Sequence, residues 1–277
     1  MAGSEPRKLE GGRRVHGLSP ERPPLVSVIT AVYNGGATLE RAITSVVSQV
    51  CARMEFIIID GGSTDCSIDL LRKYENSIDY WISEDDKGIY DALNKGIALA
   101  TGEWLYFLGA DDALADVNVL NAIFSQQYDS KFLYGDVVYG NTGRIYGGGF
   151  TKRMLTKENI CQQGIFYHVD LFKILGNFDL KYPLLADWVF NMRAFALSGT
   201  KPTHLNVIVA EYSLAGASNR IIDVAFAKDR FALINKYLGF SYYLLAIFYQ
   251  LIDQFIANYK KYVAGTLSKI CSRRQRQ

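Results

Sequence analysis

Hydrophobic residues early in the chain fall into short unbroken runs, each followed by polar punctuation and then by a stretch with helical spacing. The apolar, β-branched run at 25–32 predicts a strand, and residues 38–50, apolar every three or four positions, predict a helix. Phe56, Ile57, Ile58 and Ile59 predict a second strand ending at Asp60. The turn Gly61-Gly62-Ser63-Thr64-Asp65 leads from it into a helix over 67–74. The unit recurs as a strand at 80–82, the linker Glu84-Asp85-Asp86-Lys87-Gly88 and a helix over 89–100. A fourth strand at 104–108 exits into Gly109-Ala110-Asp111-Asp112. Strands that are apolar throughout and alternate with helices predict an α/β fold with a mostly parallel, Rossmann-like sheet covered by helices on both faces. Ligands of such sheets gather at the carboxyl ends of the strands, where Tyr33-Asn34, Asp60 and Asp111-Asp112 stand.

The second half is less regular. Strands are expected at 132–139 and 144–150 around the turn Asn141-Thr142-Gly143, and helices at 169–174 and 187–197. Residues 238–252 carry no charge, and Leu244, Leu245, Phe248, Ile252, Phe255 and Ile256 share one helical face. Lys260, Lys261, Lys269, Arg273, Arg274 and Arg276 follow. A spanning helix needs roughly 20 apolar residues, so the region 238–276 is expected either to lie in a headgroup layer with its basic tail or to pack on the domain or on a second copy in a homodimer. The organisation expected is a disordered arm at 1–24, one domain at 25–218 and a C-terminal helical segment at 219–277.

Composition narrows the classes. With 277 residues, 49% of them hydrophobic, a sizeable core can form. The net charge of +2 provides no global basic field, so nucleic acid is not expected as a partner. Four widely spaced cysteines without a C-x-x-C predict neither a disulfide framework nor a thiolate zinc site. A reducing, cytoplasmic setting is expected, and the first 24 residues carry no apolar core of a secretory signal.

Asp111 and Asp112 at a strand exit suit Mg2+ or Mn2+, which take carboxylates together with substrate phosphates. As the opening of Asp-Asp-Ala-Leu they suit equally a helix cap. Asp60 suits the N–H of a uracil-like base or, alternatively, its own turn. Lys87 stands at a helix N-terminus that favours phosphate, and Asp91 and Asn94 share one face of that helix, either for a ligand or as an ordinary polar face. His16, His168 and His204 lack ligand spacing, and Cys161 reads as a small buried hydrophobe.

Taken in order, "LVSVITAVYNGGATLERAITSVVSQ", "EFIIIDGGSTDCSIDLL", "DKGIYDALNKGIALATGEWLYFLGADD" and "CQQGIFYHVDLFKILGNFDLKY" with "ADW" resemble the family 2 glycosyltransferases. The similarity is greatest to the bacterial branch that builds capsule, exopolysaccharide or O-antigen chains. The resemblance covers about 25–218. It implies a GT-A fold and inverting transfer from a nucleotide-diphosphate sugar, UDP-sugar favoured, to a saccharide or polyprenyl-linked acceptor, with a divalent metal on a D-x-D-type motif. It further implies that Ala31, Tyr33 and Asp60 line the nucleoside, that Lys87, with Asp91, Asn94 and Ala110, serves the diphosphate sugar, and that Asp111, beside Asp112, binds metal. Asp187 matches the general base; Tyr212, Gly216 and Ser218 match a late loop over the donor. Three positions depart from the pattern. Gly109 replaces the first acid of the D-x-D, Ala186 replaces the acid before the base, and Gln162 stands where this branch often has His. The absence of Q-x-x-R-W after the base speaks against a processive polymerase. A dehydrogenase would need G-x-G-x-x-G after the first strand, where "AVYNGGATL" stands instead. A catalytically silent sugar-nucleotide sensor or scaffold of the same fold is the alternative that Gly109 and Ala186 leave open.

Overall fold

Residues 8–18, 22–51, 53–214 and 221–274 are described in the computed structural model. The elements run β1 (Leu9–Gly11), β2 (Val26–Val32), α1 (Leu39–Val47), β3 (Met54–Asp60), α2 (Ser67–Lys73), β4 (Tyr80–Ser83), α3 (Ile89–Leu99), β5 (Trp104–Phe107), β6 (Ala113–Leu114) and α4 (Val119–Phe124). They continue as β7 (Phe132–Tyr139), β8 (Arg144–Tyr146), β9 (Ile165–His168), α5 (Val169–Leu175), α6 (Ala186–Ala196), β10 (Thr203–Tyr212), α7 (Val224–Tyr237) and α8 (Phe240–Arg274).

One sheet holds all the strands, in the order β1-β4-β3-β2-β5-β9-β7-β10-β6, with β8 on β7. The block β4-β3-β2-β5 is parallel, as the apolar runs require. Beyond it the sheet is mixed, because β9 runs antiparallel to both β5 and β7 while β10 pairs parallel with β7. Alternation along the strands sends Phe56 and Ile58 to one face and Ile57 and Ile59 to the other. The first pair joins a core with Leu39, Ile43 and Val46 of α1 and Leu71 of α2. The second joins a larger core with Leu93 of α3, Phe172 of α5, Phe190 of α6 and Ile234 of α7. Helices therefore cover both faces of the parallel block.

Three expectations are corrected. Residues 9–11, placed in a disordered arm, form β1 antiparallel to β4, with Leu9 opposite Ser83. Arg14 anchors the same segment by pairing with Glu55, a carboxylate that is buried under hydrogen bonds from Ser27, Thr101 and Gly102. The Asp-Asp-Ala-Leu stretch opens no helix either, because Ala113–Leu114 pairs with β10 as β6. The strand expected to reach residue 150 stops at Tyr146. At the C-terminus α7 and α8 form a helical extension, anchored in the larger core by Phe226, Leu233, Ile234 and Ala246. No described helix is long and apolar enough to cross a membrane.

Candidate active site

The exits of the parallel strands are knitted together by side chains acting on neighbouring backbone. Asn34, held at φ 50, receives Thr64 N on Oδ1 at 2.9 Å, while its own N donates to Ser63 Oγ at 2.7 Å. Gly35 N and Gly36 N donate to Ser67 Oγ and Asp65 Oδ2, at 3.0 and 2.8 Å. The β2 and β3 exits thus form one unit, which leaves Ala31 half-buried at the end of β2 and Tyr33 67% exposed beside it.

Asp60 is fully buried at the end of β3, in register with Val32 and Ser83. Its Oδ2 accepts from Gly62 N, Ser63 N and Ser83 Oγ at 3.1, 2.9 and 2.7 Å. Its Oδ1 is buried with no partner among the described residues. The turn role and the ligand role are therefore both available, one on each oxygen. Gly62 needs φ +81, and a Cβ on Gly61 would lie 2.4 Å from Asp86 Oδ2, so Gly-Gly lets the acidic 84–88 linker close over the turn. Lys87 is exposed on that linker two residues before α3, and its N donates to Asp91 Oδ2 at 3.0 Å. Asn94 is tied into the scaffold. Its amide donates to Phe178 O at 2.9 Å and accepts from Phe178 N at 3.0 Å, which ties α3 to the loop before α6.

At the β5 exit, Ala110 is half-buried, and an ideal Cβ on Gly35 would sit 3.5 Å from its Cβ. Arg41 of α1 donates to Asp111 O at 3.1 Å and to Glu211 Oε2 at 2.9 Å. The Asp111 carboxylate, half-buried, makes no hydrogen bond among the described residues. Asp112 is 1% exposed and accepts from Ser213 N at 2.7 Å, so it joins β6 to the end of β10. Burial pushes its carboxyl up to about 7; the Ser213 N–H opposes this, Asp111 adds to it and Gln163 opposes it. A Cβ on Gly109 would lie 2.3 Å from Asp112 Oδ2, so Asp112 fills the space of the missing first acid. Among the described residues no three Asp, Glu, His or Cys side chains converge on one metal position. One free carboxylate beside a second, charge-averse one fits a divalent ion that completes its shell with substrate phosphates, and does not fit a protein-caged ion.

Asp187 opens α6 and is 7% exposed. Tyr90, in the first turn of α3, donates to its Oδ1 at 2.7 Å, and Asn159 Nδ2 donates to its Oδ2 at 2.7 Å. Asn159 is held in turn by Asn191 Nδ2 at 2.8 Å, and Asn191 Oδ1 by Tyr167 OH at 2.9 Å. Burial pushes the Asp187 carboxyl up to about 6, against the hydrogen bonds from Tyr90, the Trp188 backbone and Asn159. The 159–163 segment bridges the two acids. Its Asn159 holds Asp187, its Gln163 bonds Asp112, and both carboxylates raise the pKa of its Cys161, after burial itself. Gln162 Nε2 is buried there without a partner among the described residues.

The structure therefore brings Ala31, Tyr33, Asp60, Lys87, Asp91, Ala110, Asp111, Asp112 and Asp187 onto one rim of strand exits and helix first turns. Tyr212 ends β10 with its ring 5.7 Å from Tyr139, while Gly216 and Ser218 lie outside the described residues. Tyr90, Asn159, Gln163 and Ser83 escaped sequence reading. Only the first carries a local signal, since it directly precedes Asp91 in the "DKGIYDALNKG" motif.

Comparison with known proteins gives the following. The family model described as Glycosyl transferase family 2 matches residues 27–181. A "PGL/p-HBAD biosynthesis glycosyltransferase" of Mycobacterium bovis (strain BCG / Pasteur 1173P2) is 38% identical over 213 residues, covering 74% of this chain and 83% of that protein. Among solved structures, S. aureus TarS 1-349 in complex with UDP-GlcNAc superposes with a TM-score of 0.60 at 18% identity. The alignment covers 75% of this chain and 64% of that one, so this chain spans just under two thirds of that protein. Mannosyltransferase PcManGT from Pyrobaculum calidifontis, in complex with GDP-Man and Mn2+, superposes with a TM-score of 0.56 at 18% identity, covering 72% and 59%.

Proposed function

This chain belongs to glycosyltransferase family 2 and has its GT-A-type fold, and from that premise we propose an inverting, non-processive transferase that moves a sugar from a UDP-sugar to a saccharide or lipid-linked saccharide hydroxyl. The observation that carries the reading is the cradle of Asp187. Its carboxylate is buried, raised to about 6 and fixed by Tyr90 and Asn159 on the rim that also holds Asp60 and Asp111. A base poised about one unit below neutral pH is ionised when it works and strong enough to take an alcohol proton.

In this reading Asp60 Oδ1, unpaired among the described residues, accepts the N–H of the base, and Tyr33 covers the nucleoside from its exposed position. Lys87 lies toward the diphosphate. Asp187 takes the proton from the acceptor hydroxyl as its oxygen attacks the anomeric carbon opposite the departing nucleoside diphosphate, which inverts the centre. Asp111 and Asp112 would hold Mg2+ or Mn2+, and that ion, when bound, offsets the charge gathering on the leaving diphosphate. The silent-sensor alternative rests on Gly109 and Ala186. The carboxylate that Asp112 places at the Gly109 position, together with the hydrogen-bonded base, favours the enzyme.

We extend the proposal to the setting: a cytoplasmic protein of cell-surface glycan synthesis, in the capsule, exopolysaccharide or O-antigen class, held peripherally at the inner face of the membrane by α8. The matched mycobacterial relative, named for PGL/p-HBAD biosynthesis, supports a biosynthetic glycosyltransferase. The test is a screen of UDP-, GDP- and dTDP-sugars with and without Mn2+. A donor at about a hundredfold excess over Kd adds about 2.7 kcal/mol, or roughly 5–10 °C in Tm for a domain of this size. Asp187→Asn should keep that shift and lose about a thousandfold or more in acceptor-dependent UDP release. A full set of sugar nucleotides without any shift refutes the donor reading; wild-type turnover in Asp187→Asn refutes the base.

A further inference from the structure

Residues of α7, α8 and the turn at 154–158 line a half-open cavity of ≈ 530 Å³. Its lining includes Lys157, Arg230, Tyr249, Gln250 and Asp253. The charge of this wall is unbalanced. Lys157 Nζ lies 3.9 Å from the Tyr249 ring centroid, and Arg153 donates from Nε to Tyr249 OH at 2.6 Å, with its guanidinium 5.7 Å from the same ring. Arg230 lies 5.6 Å over the Trp188 ring and donates through one terminal nitrogen to Thr156 O, yet its Nε is buried with no partner among the described residues. Neither Arg153, Lys157 nor Arg230 has a carboxylate at ion-pair distance among the described residues; every ion pair described engages other cations. Asp253 is the one carboxylate in the lining, and it acts on Arg230 only through space.

Two cations, Arg153 and Lys157, sit on one tyrosine, and a third, Arg230, shares the lining, so the wall carries donors without a matching set of anions. A guanidinium edge beside an ammonium is matched by an oxyanion with several acceptor oxygens. We propose that this cavity binds a phosphate group, with the Arg230 guanidinium and Lys157 Nζ donating to its oxygens and the Gln250 amide completing the set. The exposed Phe248 and Leu251 of α8 flank the cavity-lining Tyr249 and Gln250, so a phosphate carried on an apolar chain would have a surface for that chain. The cavity's chemistry is independent of the transfer reaction proposed above. Its nearest approach to that site is the stacking of Arg230 on Trp188, the residue after Asp187.

The experiment is calorimetric titration of the full chain with two probes, inorganic phosphate and monomeric dihexanoyl phosphatidic acid. It is repeated with Lys157→Gln, Arg230→Lys and Asp111→Ala. Lys157 is exposed, so its replacement leaves the fold intact, and Arg230→Lys keeps the charge while removing the planar guanidinium edge. At least one probe should bind, about tenfold more weakly in Lys157→Gln and severalfold more weakly in Arg230→Lys, with Asp111→Ala unchanged. Tighter binding of the phosphatidic acid identifies a lipid-borne phosphate, and equal binding a soluble one; both support the site. No binding, binding untouched by Lys157→Gln, or binding lost in Asp111→Ala overturns it.

Discussion

Asp112 and Asp187 are both acids at element starts and both buried, and they do opposite things. Asp187 is surrounded by side-chain donors and half-balanced by them. Asp112 has a backbone N–H, a glutamine and a second carboxylate for neighbours, and its pKa rises further, to about 7. The folded state therefore holds the Asp112 proton more tightly than the unfolded chain, whose aspartates titrate near about 3.9. The stabilisation belongs to the protonated form: it is complete below about pH 4 and is lost as pH rises through about 7. Asp112→Asn, which keeps the acceptor for Ser213 N, should remove that loss and gain up to about 4 kcal/mol over wild type near pH 8 in metal-free buffer, with little difference near pH 4. Urea unfolding at the two pH values measures it, and parallel pH slopes for the two proteins would refute the assignment. Asp112 was legible as an acid at a strand exit. Its bond to Ser213 was not, because the partners lie 101 positions apart.

Elements, more than single residues, set the base. The first turn of α3 delivers Tyr90 to Asp187 in the first turn of α6, while the 159–163 segment delivers Asn159 from the other side. Both hydrogen bonds favour the ionised carboxylate. Removing one by Tyr90→Phe, which retains the ring contact with Phe178, should raise the Asp187 pKa and move the acid limb of the kcat/KM profile upward by about one pH unit. An unshifted limb would mean that another group governs it. The strands of the parallel block were readable because each is apolar throughout, as burial on both faces demands. β6 and β10 were not. Two residues make no periodic signal, and β10 alternates burial irregularly across two register shifts against β7. The arm at 9–11 looked disordered because its strand character depends on pairing with β4 and on the Arg14 contact to Glu55.

At the scale of the whole molecule, α8 leaves apolar side chains uncovered. Ala246 faces the core, whereas Leu244, Phe248, Leu251 and Phe255 are each more than half exposed. With the basic residues beyond 259, this face suits an anionic membrane surface. Full-length protein should sediment with vesicles containing phosphatidylglycerol and be released by about 0.5 M salt, while a chain ending at Gly239 should stay in the supernatant. Equal sedimentation of the two would exclude α8 as the anchor, and a dimer that dissociates on the same truncation would assign the face to a second copy. What the chain's linear order established was everything that depends on neighbours a few positions apart: the strand-helix alternation, the acids at strand exits and the family motifs, because hydrophobic period and turn chemistry act over short range. What folding alone settled was the use of each polar group. It committed Asn94 to Phe178, let Asp112 stand in the space of Gly109, assembled the Tyr90, Asn159 and Asn191 support of the base, and left Asp60 Oδ1, Gln162 Nε2 and Arg230 Nε unpaired among the described residues. Hydrogen bonds and burial join residues far apart in the chain, and no local pattern records which of them will meet.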